Sequence, residues 1–144
     1  MKIVFEELPP NEEEVIIIRC REMTVEIYRA ISLLKALETL IAYDGNNIYR
    51  VLPSDIYYIE TVDNKTFLYC KDKIYESKQK LYELEEVLLN TDFLRVSKSA
   101  MLNLSKVNSL SPALNGRFEA TLLNKEKIII SRQYVSDLKK KLGI

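Results

Sequence analysis

Between residues 40 and 70 the chain runs twice through one plan: a short apolar segment, a turn-forming tetrad opening on Asp, and a second short apolar segment. Residues 40–43 lead through Asp44-Gly45-Asn46-Asn47 into residues 48–52, and residues 56–62 lead through Asp63-Asn64-Lys65-Thr66 into residues 67–70. Asp-Gly supplies the positive-φ residues that tight hairpin turns need, and runs this short and β-branched read as strands. Two hairpins in succession commit this part of the chain to antiparallel sheet. A strand over residues 73–75 follows, and residues 117–123 and 127–130 predict a last hairpin across Asn124-Lys125-Glu126.

The period changes elsewhere. From Thr24, a plausible N-cap, Ile27, Ile31 and Leu34 fall three or four apart, the spacing of an amphipathic helix. Ser77 is placed to cap a helix whose apolar face is Leu81, Leu84, Val87 and Leu88. Ser131 is placed to open a terminal helix through Tyr134, Leu138 and Leu142, stopped by Gly143. Residues 2–8 and 15–21 read as two strands flanking an acidic turn. The whole is α+β and mainly β: a short N-terminal ββα segment over residues 1–40, then a domain over residues 41–144. At 144 residues and 47% apolar content the chain can bury one real core. Cys20 and Cys70 end apolar runs without metal-ligand spacing and read as reduced core thiols. A start without a basic, apolar leader, and apolar runs too short for a membrane span, predict a cytoplasmic protein.

Net charge is zero, but its distribution is not even. Residues 1–40 carry five Lys/Arg against eight Asp/Glu, and residues 91–144 carry ten against four. Such polarity suits a protein that offers one face to a polyanion. Catalysis finds little support: there is no histidine, only three glycines and no phosphate-binding glycine loop. Ser-x-x-Lys matches at Ser32, Ser77 and Ser136 sit at helix starts or surfaces, and Glu85-Glu86 reads as a solvated helix edge. No enzyme activity, cofactor or metal is expected.

One stretch resists a packing explanation. In Ser97-Lys98-Ser99-Ala100-Met101-Leu102-Asn103, small hydroxyls, one cation and one amide interrupt an apolar pattern, with the apolar trio anchoring the segment on the core. Serine hydroxyls and a lysine suit phosphate oxygens, lysine also reaches guanine, and an asparagine amide offers donor and acceptor together to a base edge. The alternative is local: Ser97 caps a short helical turn and Asn103 ends it.

With Phe93, Arg95, the Ser97-Lys98-Ser99 trio, three apolar residues and Asn103, then Ser131-Arg132 before a final helix, the chain resembles the LytTR family of bacterial DNA-binding domains over roughly residues 41–144. The resemblance implies small antiparallel sheets set in a row, with loops entering successive major grooves of duplex DNA. It implies base contacts from Arg132, Lys98, Asn103 and Lys65, with Ser99, Ser97, Lys106, Asn64 and Thr66 on phosphates. Here Ser97 stands where the family often has histidine, and the loop around Asn64 also has none. Many members carry a receiver domain ahead of this part, and the first 40 residues are too few for one.

The function expected is that of a response-regulator-like transcription regulator, sequence-specific and without catalysis. Its partners would be double-stranded DNA with repeated sites, a second copy associating through residues 1–40, and a small membrane protein that regulates it. The alternative is a protein-interaction or ligand-sensing adaptor using a LytTR-like surface.

Overall fold

The computed structural model describes residues 2–36 and 38–144. Strands β1 (Leu40–Asp44) and β2 (Asn47–Val51) pair from Leu40 with Val51 to Asp44 with Asn47, and Gly45 turns the corner at φ +60. Strands β3 (Ile56–Val62) and β4 (Lys65–Cys70) close on Asp63 (φ 50) and Asn64 (φ 61), the consecutive left-handed pair of a type I′ turn. β5 (Ile74–Ser77) returns along β4, and β6 (Phe93–Ser97) with β7 (Ala100–Asn103) forms a third hairpin. These seven strands form one antiparallel sheet in the order β2-β1-β5-β4-β3-β7-β6. A second antiparallel sheet holds β8 (Val107–Pro112), β9 (Phe118–Leu122) and β10 (Lys127–Ile130), with β9 in the middle. The α+β, mainly antiparallel class expected from the hairpin turns is what forms.

Two cores follow from strand alternation. Neighbours on β7, Met101 and Leu102, point to opposite faces, as the period of two requires. On one face Leu81, Leu84 and Leu88 of helix α2 (Leu81–Val87) and its C-cap pack on Ile56, Ile59, Leu68, Phe93 and Met101. On the other, Tyr57, Leu94, Val96 and Leu102 meet Ala120, Leu122 and Ile130 of the second sheet and Leu138 of helix α3 (Val135–Leu142). Each fully buried aliphatic side chain contributes about 1.5–3 kcal/mol, so the two cores clamp β3, β6 and β7 from both sides.

The large sheet is not equally knit. Between β1 and β5 only Tyr43 and Glu76 stand in register. Side chains close that seam: Lys73 Nζ lies 3.1 Å from Asp44 Oδ2 and 4.2 Å from the centre of the Tyr49 ring. Tyr49 and Tyr75 rings stand 5.2 Å apart, and Lys78 lies 4.3 Å over Tyr43.

Four expectations need correction. Helix α1 (Val25–Ala36) forms, with Thr24 Oγ1 accepting from Ile27 N at 3.3 Å, but no strand forms over residues 2–8 or 15–21. Between them Glu12 N donates to Pro9 O at 3.1 Å in a turn, but the flanking residues have no neighbouring strand to complete their hydrogen bonding. Ser77 does not cap α2; it ends β5, accepts from Gln79 N at 3.1 Å, and the helix begins four residues on, where Glu83 accepts from Lys80 N at 3.3 Å. Ser131 opens a single 3₁₀ turn, Arg132–Tyr134, before α3, and its side chain caps nothing. Cys20 is exposed, not a core thiol, because the run it ends is not packed; Cys70 is half-buried.

Candidate nucleic-acid interface

The ladder that joins β3 to β7 brings two turns side by side. Glu60 pairs with Ala100, and one step further Thr61 N donates to Ser99 O at 2.8 Å. The β3–β4 turn, with Asp63 and Asn64 at its tip, therefore lies beside the β6–β7 turn formed by Lys98 and Ser99. A third element joins them through Ser131 N, which donates to Val96 O at 2.8 Å and starts the 3₁₀ turn at Arg132 next to the end of β6. Asn64, Lys65, Lys98, Ser99 and Arg132 are all exposed there, and Ser97 is half-buried.

The β6–β7 turn is stiff. Arg95 Nε donates to Ser97 O at 2.9 Å and Nη2 to Lys98 O at 2.6 Å, while Nη1 pairs with Glu85 Oε2 of α2 at 2.8 Å. One guanidinium thus spends its planar fork on two turn carbonyls and one carboxylate, fixing where Lys98 projects. Ser97 Oγ accepts from Ser99 N at 3.2 Å and lies 3.4 Å from Ser99 Oγ, so the two hydroxyls share one small polar cluster at the turn. The sequence flags Arg95 as a motif residue, but its bracing role depends on Glu85 lying across from it, ten positions away in the chain.

Arg132 is positioned by glycine. A Cβ on Gly116 (φ +74) would stand 3.1 Å from Arg132 Cδ and 3.2 Å from Cγ, so the arginine stem rests on bare backbone. No ion pair to Asp137 forms among the described residues, and the guanidinium remains available. Gly116 carries no signal in the sequence beyond an Asn-Gly pair.

Three expected contacts lie elsewhere. Asn103 is 2% exposed, at the far end of β7 from the Lys98 turn. Its Nδ2 donates to Ile56 O at 2.8 Å, and its Oδ1 accepts from Ser105 N at 3.0 Å and Ser105 Oγ at 2.7 Å. The base contact expected of Asn103 is therefore corrected: its donor and acceptor are consumed inside the fold. Thr66, 3% exposed, faces the interior between Thr61 and Ser77, out of reach of a phosphate. Lys106 is carried just past Asn103, 5.2 Å over the Tyr57 ring near the start of β3, roughly 20 Å along the strand from the turns.

Known proteins sharpen the picture. Residues 46–143 match the family model described as the LytTr DNA-binding domain. The chain belongs to the LytTr DNA-binding domain family. Relatives named sensory transduction protein LytT, from Enterococcus faecalis and Bacillus subtilis, are 30% and 31% identical over 99 and 100 residues. Those matches cover 69% of this chain but only 41% and 42% of the relatives, so this LytTr chain spans about two fifths of their length. A Staphylococcus aureus protein described as an uncharacterized HTH-type transcriptional regulator is 27% identical over 118 residues, 82% of this chain and 80% of its own. A solved LytTr DNA-binding domain from Bacillus cereus superposes with a TM-score of 0.70 at 24% identity, over 74% of this chain and 98% of that one, and shares the fold.

Proposed function

We propose that this LytTr-family chain is a transcriptional regulator that reads duplex DNA sequence-specifically through the turns gathered at one end of its sheets. The observation that carries the reading is the alignment of three exposed, cation-bearing elements at that end: Lys65 at the start of β4, Lys98 in the β6–β7 turn, and Arg132 beside β6. Arg132 is assigned to guanine O6 and N7, which its fork fits. Lys98 and Lys65 are assigned to base edges or the phosphates beside them, and Asn64, Ser97 and Ser99 to phosphate oxygens. The relatives' names, a sensory transduction protein and a transcriptional regulator, fit this role.

Selecting bound sites from a random duplex pool, then titrating salt on the selected site, tests it. A recovered consensus is expected, with log K falling linearly against log salt by about 0.9 per phosphate contact. No enrichment and no salt-dependent binding would overturn DNA reading and leave the adaptor alternative.

A further inference from the structure

Two halves of an unmade contact lie on the same molecule. β2 is the edge of the large sheet: β1 covers one side of it, and no strand among the described residues covers the other. Its Ile48 is 66% exposed, an apolar edge of the kind that recruits another strand. The complementary piece is Val15-Ile16-Ile17-Ile18, a β-branched run with side chains 61, 71, 70 and 40% exposed and no strand partner. Directly before it stand three glutamates, Glu12, Glu13 and Glu14.

Charge says which way the pieces fit. At the Val51 end of β2 a cleft of about 360 Å³ is walled by Arg50, Lys71, Lys73 and Lys106 against Asp55 and Asp72. Lys73 is paired with Asp44, while Arg50, Lys71 and Lys106 make no ion pair among the described residues. An antiparallel strand laid on β2 enters at the Val51 end, which delivers Glu12–Glu14 to this basic cleft. A parallel strand would deliver them instead to the β1–β2 turn, where Lys73 is already paired with Asp44.

We propose that two copies of this chain exchange these segments about a two-fold axis. Residues 15–18 of each copy extend the other's sheet along β2, and residues 12–14 enter the other's basic cleft. Within one chain the segment lies off its own sheet, exposed, whereas exchange satisfies both copies at once. Such reciprocal exchange of an identical element is a low-cost route to a symmetric dimer. The proposal does not rest on DNA reading, because its test contains no DNA.

The full chain is examined by sedimentation over a range of concentrations, and a reversible dimer is expected. Glu13→Lys/Glu14→Lys and Arg50→Glu/Lys71→Glu should each weaken it at least about tenfold, since each sets like charges face to face. Mixing the two variants should restore it, because both contacts become complementary only between unlike chains. Melting curves on each variant alone establish that both are folded. A wild-type chain monomeric at every concentration, or a dimer indifferent to both reversals, overturns the proposal. Reversals that act but are not rescued by mixing overturn it too, and point to docking within one chain. Binding seen only with vesicles or a membrane protein likewise overturns it.

Discussion

The stem of Arg132 rests on the bare backbone of Gly116, so the reach of its guanidinium is set by an atom that is absent. Gly116→Ala adds that atom at 3.1 Å from Cδ, on a backbone at φ +74 that disfavours any side chain. The variant should lose about 1–2 kcal/mol of stability and weaken binding to the selected site. Arg132→Ala should lose about 1–3 kcal/mol on that site and blur preference at one base pair. Combined with Arg132→Ala, Gly116→Ala should cost little further binding, and equal losses on random duplex would remove Arg132 from base reading. Asn103 carries the opposite expectation. Replacing it with Ala strips a partner from Ile56 O in the interior and from Ser105 N nearer the surface, so unfolding free energy should drop by about 1–3 kcal/mol. Folded Asn103→Ala protein should still select the same DNA sequence, a result that denaturant melts and binding on one preparation check together.

At the scale of elements, the β6–β7 turn owes its shape to Arg95. Lys98→Ala should lower the salt slope by about one unit if the lysine sits on phosphate. Arg95→Ala leaves Lys98 in place but frees the turn, so the two substitutions should be non-additive in a double-mutant cycle on DNA affinity. Full additivity would mean that the brace does not position Lys98. The face of β3 and β4 toward the second sheet titrates differently. Tyr58 stacks on Tyr69 at 4.2 Å, and burial first, then the nearby Glu126 carboxylate, raises the Tyr58 hydroxyl well above its ordinary 10.0. A raised folded pKa contributes stability below pH 10.0, and this is lost as pH rises, when the unfolded tyrosine ionises first. Melting temperature should therefore fall less steeply above about pH 10 in Tyr58→Phe than in wild type, which thermal melts across that range measure.

For the whole molecule, what the sequence revealed divides by physical range. Hairpins were legible because turn chemistry is local: Asp44-Gly45 and Asp63-Asn64 dictate their own geometry. Helix α1 was legible from its period and from Thr24. Residues 15–21 misled because β-branched composition reports a side chain's fitness for a sheet, not the presence of a neighbour. Asn103 misled in the same way, since an amide that can grip a base grips Ile56 O equally well, and only the tertiary placement of β3 decides. The bracing role of Arg95 and the part played by Gly116 stayed silent because their partners, Glu85 and Arg132, are ten or more residues away.

The single register pair between β1 and β5 sets how this protein comes apart. Elsewhere the sheet transmits cooperativity through multi-residue ladders, whereas here one backbone rung, a handful of tyrosine–lysine contacts and the burial of Leu40, Ala42 and Val51 in the first core carry it. Opening at that seam releases the β1–β2 hairpin as a unit while β3, β6 and β7 stay clamped between two cores. In native-state amide exchange, β1 and β2 should therefore report an opening free energy below the global value, and Lys73→Ala should lower it further without touching the amides of β7. Uniform protection across all seven strands would show the seam to be as cooperative as any ladder. Departure of the outer hairpin would then leave the end that carries Lys65, Lys98 and Arg132 in place, so changes at one end can accumulate without disturbing the other.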